Sequence, residues 1–427
     1  MSWYDADVIV AGAGPAGATA ARRLARAGVD VLLLEKAPLP RQKPCGGGIS
    51  IRVLGRFPYL PEALRRIPSH AISHLYLEGP SGEVFTMETD GPAVLLIRRI
   101  EFDTMLATLA VDAGARLETP ASIAQASQDA DGVTLRTRDG REFHAPMVIA
   151  ADGVNSIIAR RLGMNPGWPA SRVALDMMEE TPVSALRPQA PDTLSVFYGY
   201  GGAHGYAYVF PKREHVNVGI GCVLSYFRER VEDAPYDLQR RFVETLRQRG
   251  LVEGASQRER FTPFLIPIGG PLRCTARGRV LLAGDAGGFV NGFSAEGIYY
   301  AMVTGDLAAG AVLAARRPET IDPAAARCAY VRAWRREVGT ELRDSVLIQR
   351  YLFQSTECMD RVVRGARARP RFARLLVDYA TGRISYRTAR RRLLWQFPRL
   401  LPRLALLAWR SAWRQRAAAS AIIRADG

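Results

Sequence analysis

Three glycines spaced as Gly12-Ala-Gly14-Pro-Ala16-Gly17 follow an apolar run, and the carboxylate of Glu35 stands about twenty positions further on. This pattern suits nucleotide phosphate and ribose. The first glycine permits a tight turn, the second lets the backbone approach a pyrophosphate, and the third, beside the small Ala16, lets a helix pack closely on a strand. The helix N-terminus then faces the phosphates, and Glu35 is placed for ribose hydroxyls. A comparable turn lies some 270 residues later, at Leu281-Leu-Ala-Gly284-Asp285-Ala-Gly287-Gly288. There a hydrogen-bonding Asp285 suits a polyol chain, and the glycines admit backbone close to a ligand. Two such turns in one chain favour FAD over NAD. Asp152-Gly153, closing an apolar strand, and Arg99 in Arg99-Ile-Glu-Phe-Asp103 add two more elements in the same order. Taken singly, Asp152 also fits a helix cap and Arg99 a surface charge.

These residues need a scaffold, and the hydrophobic pattern supplies one. Residues 7–11 read as a buried strand, Pro15 to Ala27 as a helix ended by Gly28, and 29–34 as a second strand, a βαβ unit. Asp139-Gly140 marks a hairpin between residues 132–137 and 142–143, and residues 146–151 and 279–283 read as further buried strands. From about 170 to 265 the pattern alternates and turns aromatic, as in 194–200, 206–210 and 216–222, which predicts an antiparallel sheet. Beyond about Asp344 the chain reads as basic helix. The expected fold class is therefore α/β: a discontinuous Rossmann-type FAD-binding domain (1–75, 95–168 and 265–343), an antiparallel β-sheet substrate domain (76–94 and 169–264), and a basic helical C-terminal segment (344–427).

Composition narrows the function. The 427 residues are 48% hydrophobic and 23% charged, enough for more than one core. Five scattered cysteines without a CxxC argue against a disulfide framework, and the five dispersed histidines suggest neither a metal site nor a hydrolase triad. The polar N-terminus reads as no signal peptide, and the strongly apolar stretches run to about ten residues, short of a ~20-residue span. A cytoplasmic location is expected. The net charge of +16 is uneven: Arg361 to Gly427 holds 17 Arg, no Lys and two acids, so this segment carries +15 of it.

Beyond the nucleotide turns, three motifs resemble the geranylgeranyl reductase family, within the para-hydroxybenzoate hydroxylase-like flavoprotein superfamily. They are Lys43-Pro-Cys45-Gly46-Gly47-Gly48, Tyr206-x-Tyr208-x-Phe210-Pro-Lys212, and Asn291-x-Phe293-Ser294-x-Glu296-Gly297-Ile298. The resemblance spans residues 5 to about 345. Three positions depart from it: Tyr208 stands where the family commonly has Trp, and Gly292 and Ala295 where it often has Pro and Gly. The resemblance implies that reduced FAD gives hydride to isoprenoid double bonds, with Gly46–Gly48 and Gly297-Ile298 beside the flavin ring. The electron donor it implies is NAD(P)H or ferredoxin, and no second dinucleotide motif decides between them. An unactivated alkene needs a dry channel and a proton donor. Tyr206, Tyr208 and Phe210, with Phe197, Tyr198 and Tyr200, suit such a channel or, more blandly, a sheet core. Cys45 and Glu296 are the acid candidates, against packing and helix capping respectively. Lys212 suits a phosphate headgroup or plain solvent.

The tail suggests a surface role. Arg392, Gln396, Arg399, Arg403, Arg410 and Arg414 share a stripe about 60° wide at helical periodicity, facing leucines and flanked by Trp395, Trp409 and Trp413. Pro398 and Pro402 divide it into two shorter helices. The pattern reads as peripheral contact with the inner face of the cell membrane, or as an amphipathic pair packed on the protein itself. Arginines interleaved with long aliphatics do not read as a nucleic-acid surface, and nothing in the sequence fixes an oligomeric state. A same-fold monooxygenase and a non-catalytic prenyl-binding escort are the competing readings. The Gly-Asp-Ala-Gly-Gly-Phe turn with the Lys-Pro-Cys-Gly-Gly loop opposes the first, and the intact nucleotide motifs oppose the second.

Overall fold

The computed structural model describes residues 4–318, 320–380 and 383–396, together with Pro402. Its centre is a six-stranded sheet in the order Ala276–Arg277, Val280–Leu282, Met147–Ala150, Val8–Ala11, Val31–Leu34, Arg116–Glu118. All neighbours pair in parallel except the first two. Both faces are covered, which is why Val-Ile-Val-Ala and Val-Leu-Leu-Leu are apolar throughout rather than alternating. The strand Val280–Leu282 joins from 130 residues downstream of Met147–Ala150, so the nucleotide-type domain is discontinuous in sequence.

Helix Pro15–Arg26 lies on this sheet, with helix Ile298–Ala315 against it. Their closeness depends on backbone meeting backbone. A methyl group on Gly17 would sit 1.8 Å from the carbonyl oxygen of Gly12, so no other residue keeps this packing. Ile298–Ala315 is 18 residues long with a mean hydropathy of 1.4, longer than the ten-residue apolar runs read from the sequence. Thr304 and Asp306 interrupt the run of apolar letters but not the helix. By length and composition alone it reaches the size of a membrane span, yet 67% of it is buried inside this fold, where it serves as a core helix.

A seven-stranded sheet stands beside the first, in the order Phe261–Ile266, Ala174–Pro182, His215–Val223, Gly205–Pro211, Thr193–Tyr198, His74–Glu78, Val84–Glu88. It is antiparallel as expected, with one exception. Thr193–Tyr198 and His74–Glu78 run parallel, because the chain between them makes a long crossover through the nucleotide-type domain. One face of this sheet packs on helix Pro235–Gln248. The other carries Val196, Tyr198 and Tyr206 and is covered by Leu352, Phe353, Met359 and Val363 from helices Thr340–Leu352 and Thr356–Ala368 and the turn between them. The hairpin around Asp139-Gly140 forms as read, with Glu142–Ala145 antiparallel to Val133–Thr137. The C-terminal part continues as helices Pro370–Ala380 and Tyr386–Gln396. The arginines and tryptophans expected at 399–414, with Pro398, lie outside the described residues.

Candidate active site

The Gly12–Gly17 turn is surrounded by a chain of ion pairs. Arg99 grips Asp103 with two of its guanidinium nitrogens, Nε and Nη2, at 2.6 and 2.7 Å, and Asp103 is fully buried. Arg41 bridges Asp103 and Glu35, 3.1 Å from each. Glu35 also accepts the Ala13 amide at 2.8 Å, which ties the acidic end of the second strand to the glycine turn. Arg41 escaped the sequence reading: it is one arginine in an irregular loop, and only the fold brings it between two acids.

These residues fit a dinucleotide. Among the described residues other than its chain neighbours, only Arg99 Nη2 and Arg41 Nη2 lie within 4.0 Å of a methyl placed on Gly14, so two cations converge over open backbone at an uncapped helix N-terminus. Ala16 packs under Gly284, whose φ of +59° turns the chain after Val280–Leu282. The Asp285 carboxylate makes no hydrogen bond or ion pair among the described residues, although it lies within the fields of Lys43 and Arg99. A methyl on Gly297 would sit 3.4 Å from that carboxylate, which places the start of helix Ile298–Ala315 beside it. Asp152 is cap-like: Oδ2 accepts the Ile158 amide at 3.3 Å, while Oδ1 is buried without a partner.

The glycine loop faces the aromatic strand. Gly47 has a φ of +76°, and a methyl there would come 2.0 Å from the Ile97 carbonyl oxygen. A methyl on Gly46 would meet two ring carbons of Phe210 at 3.0 Å and Tyr208 at 3.5 Å, and Gly48 begins the short strand Gly48–Ser50. Tyr208 and Phe210 meet in a tilted contact with ring centroids 4.4 Å apart, and the Tyr206 hydroxyl donates to the Ser294 carbonyl at 2.7 Å. The loop of residues 43–48, the loop of residues 291–297 and strand Gly205–Pro211 are thus brought together. Phe197 and Tyr200 are not: they lie on the opposite face, against Phe242.

The two acid candidates differ in surroundings. Cys45 Sγ accepts the Gly47 amide at 3.4 Å, and Cys45 is half-buried in the loop. Glu296 accepts the Ser50 amide at 2.8 Å and sits 3.6 Å from Arg52. Burial raises its pKa, with Arg52 opposing. Arg52 is a hub in its own right. It donates to Glu341 and to the Tyr300 hydroxyl, 2.9 Å each, and lies 4.0 Å from the Tyr299 ring centroid and 4.9 Å from that of Tyr379. Tyr300 and Tyr379 both donate to Glu341 as well.

Lys212 differs from expectation. It is 4% exposed and ion-paired to Glu180, against the Gly47 loop. An ammonium so buried and already neutralised has little charge to offer a headgroup, and its place is that of a strut under the loop. The sequence reading also passed over Asp176, a buried acid under the Tyr208 hydroxyl. An acid in an alternating strand reads as a solvent-face residue, and the burial of this one comes from a sheet covered on both sides.

Ala295 adopts a φ of +55°, the only non-glycine residue with positive φ among those described. A left-handed alanine costs about 1 kcal/mol. An Ala295→Gly variant is therefore expected to fold at least as stably, and a lowered urea midpoint would contradict the strain.

A family model described as an FAD binding domain matches residues 5–304. The chain is 33% identical to digeranylgeranylglycerophospholipid reductase 2 of Methanothermobacter thermautotrophicus, over 81% of this chain and 87% of that protein. It is likewise 33% identical to menaquinone reductase of Mycobacterium tuberculosis, over 71% of this chain and 76% of the other. A geranylgeranyl bacteriochlorophyll reductase-like protein of Thermoplasma acidophilum shares the fold, with a TM-score of 0.77 at 23% identity over 94% of this chain and 99% of that one. The two nucleotide turns, the ion-paired arginines at Gly14 and the aromatic wall over the glycine loop thus sit in a chain that belongs to the FAD-binding domain family and, within it, to the geranylgeranyl reductases.

Proposed function

We propose that this protein is an FAD-dependent reductase that saturates double bonds in the isoprenoid chain of a lipid or quinone. The relatives named for such substrates support the reading. The observation that carries it is the aromatic wall, Phe210 and Tyr208, closed directly over Gly46. Reduced FAD, once bound, supplies the hydride that an alkene takes up. Arg41 and Arg99 would hold the pyrophosphate over Gly14, Glu35 would take ribose hydroxyls, and Gly284-Asp285 would take the ribityl chain. Gly46, Gly47, Gly48, Gly297 and Ile298 would lend backbone to the edge of the ring. Tyr206, Tyr208 and Phe210 exclude water and orient the prenyl chain. Cys45 would lie beside the bound ring, whereas Glu296 is tied to Ser50 and Arg52 and acts by fixing the loop. The division of the chain into nucleotide, substrate and helical parts belongs to this reading, as does NAD(P)H or ferredoxin as electron donor.

Anaerobic incubation of the reduced enzyme with a panel of prenyl diphosphates, prenylated lipids and menaquinones tests it. Mass spectrometry is expected to show two hydrogens gained per bond. Oxygen incorporated from labelled O₂ would instead make the protein a monooxygenase, and a protein that binds no flavin would make it an escort.

The same reading places the tail on the inner face of a membrane. Helix Tyr386–Gln396 presents exposed Arg391 and Arg392, and Trp395 is 90% exposed. Each arginine near an anionic surface is worth ~1 kcal/mol, screened over a Debye length. Deleting residues 393–427 is expected to abolish sedimentation with anionic liposomes while leaving the flavin bound. The intact protein should bind less as salt rises. A full-length protein that ignores anionic liposomes at low salt would make the tail a packing element.

A further inference from the structure

Asp176 is a carboxylate that none of these roles uses. It projects from strand Ala174–Pro182 at 5% exposure, and the Tyr208 hydroxyl lies 3.3 Å from each of its oxygens. Room for the pair comes from two glycines on the intervening strand. Asp176 is opposite Gly221 and Tyr208 is opposite Gly219, where a methyl would sit 2.5 Å from the Tyr208 hydroxyl oxygen. The titratable groups facing the pair are Lys43 from the glycine loop, Cys45 beside both tyrosines, and Tyr206 on the same strand as Tyr208; Cys222 feels Asp176 only through the sheet, from its opposite face. Lys43 holds its ammonium 3.0 Å from the centroid of the Phe264 ring and feels Arg99 and Asp285 on its other side.

We propose that Tyr208 donates the proton that completes alkene reduction, with Asp176 behind it as the group that returns the proton. The inference rests on the reductase reading above. One alkene carbon gains hydride and its electron pair from the reduced flavin. The Tyr208 O–H bond breaks, and its proton forms the C–H bond at the other carbon. The Asp176 carboxyl then gives its proton to the phenolate oxygen and is itself reprotonated from solvent by way of Lys43. The alkene gains one hydride and one proton, and Tyr208, Asp176 and Lys43 end as they began.

The surroundings suit these roles. An unactivated alkene cannot stabilise charge, so the donor must not be left as an uncompensated phenolate. Burial pushes the Asp176 carboxyl up to about 7, with the Tyr208 hydrogen bond and Lys43 opposing, so below that pH the carboxyl carries the proton that Tyr208 needs. Burial and Arg99 bring Lys43 down to about 8, which puts a third exchangeable proton near neutrality. Because the protonated acid is the working form, the rate is present below about pH 7 and is lost as pH rises through it. Glu296 is pinned by Ser50 and Arg52, and Cys45 Sγ is already an acceptor for Gly47.

The test uses the FAD-loaded full chain, reduced anaerobically and mixed with geranylgeranyl diphosphate in single turnover from pH 5.5 to 9. Tyr208→Phe is expected to lower the rate about 100-fold or more, with bound flavin and KM unchanged. Asp176→Asn is expected to slow it about tenfold and to flatten the fall above pH 7. A second readout needs no turnover. The infrared difference between wild type and Asp176→Asn, without substrate, should show a protonated carboxyl that vanishes as pH passes about 7. A Tyr208→Phe rate close to wild type, an unchanged pH profile in Asp176→Asn, or no such carboxyl overturns the relay. So does a Tyr208→Phe defect confined to KM or flavin retention, which would make Tyr208 a packing residue. A wild type that reduces no prenyl probe overturns the reductase reading and the relay with it, whereas a working wild type with an indifferent Tyr208→Phe overturns the relay alone.

Discussion

An Arg99→Ala variant is expected to purify nearly colourless and to melt well below the wild type. Two losses combine. Arg99 is one of the two cations over Gly14, and a charge-assisted hydrogen bond to phosphate is worth about 1.5–3 kcal/mol, or roughly 10- to 100-fold in flavin Kd. Arg99 is also the bidentate partner of Asp103, which is fully buried. Removing one member of a buried pair costs about 3–5 kcal/mol, because the other charge stays behind in a dry place. Arg41 still touches Asp103, which puts the expected loss toward the lower end of that range. Arg99→Lys separates the two effects: it keeps a charge for the phosphate but not the fork for the carboxylate. The ratio of flavin to protein absorbance and a thermal melt read both. Full flavin occupancy in Arg99→Ala would place the pyrophosphate elsewhere.

The second large effect is expected at Arg52. Its guanidinium is 11% exposed, and it joins Glu296 of the loop of residues 291–297 to Glu341 and Tyr379 of the C-terminal helices. Burial pulls its pKa down, but Tyr300, Tyr379, Glu296 and Glu341 more than reverse this, so the guanidinium is held charged by its neighbours. Arg52→Met fills much of the volume and leaves two carboxylates facing each other without a cation. A loss of about 3–5 kcal/mol is expected. The loss should be local, in that limited proteolysis should cut first within residues 340–380 while the flavin stays bound. Simultaneous loss of flavin and helices would make Arg52 a part of the cofactor site. The double variant Arg52→Met with Glu341→Gln should recover part of the stability, because it removes one of the stranded charges.

The parts of this molecule legible in sequence are those governed by local rules. Gly12, Gly14 and Gly17 declare a strand, a turn and a helix because each spacing answers one steric demand, and the apolar strands declare a doubly covered sheet. The aromatic strand Gly205–Pro211 was legible by its alternation. What was not legible depends on contacts distant in sequence. Arg41 gains meaning only when Asp103 folds onto it from 62 positions away, and Arg52 when Glu341 arrives from 289. Lys212 ends in an amphiphilic motif whose exposed side could have been either one, and Glu180 decided it. Ile298–Ala315 hid its length because two polar letters interrupt it, although on a buried helix Thr304 is satisfied by the Tyr300 carbonyl and the Gly284 amide.

The late arrival of strand Val280–Leu282 has a consequence for the chain as it leaves the ribosome. Until that strand is made, Met147–Ala150 presents an unpaired parallel edge, fully apolar and four residues long. About 130 residues separate the two, on the order of 10 s of synthesis at ordinary elongation rates. For that interval the nascent chain displays the kind of edge that pairs with other chains. The partly made protein therefore has a window in which this edge is open to pairing with other chains. A protein cut after the first βαβ unit and its neighbouring strands would remain in that window permanently, which makes residue 282 the earliest point at which this sheet can close.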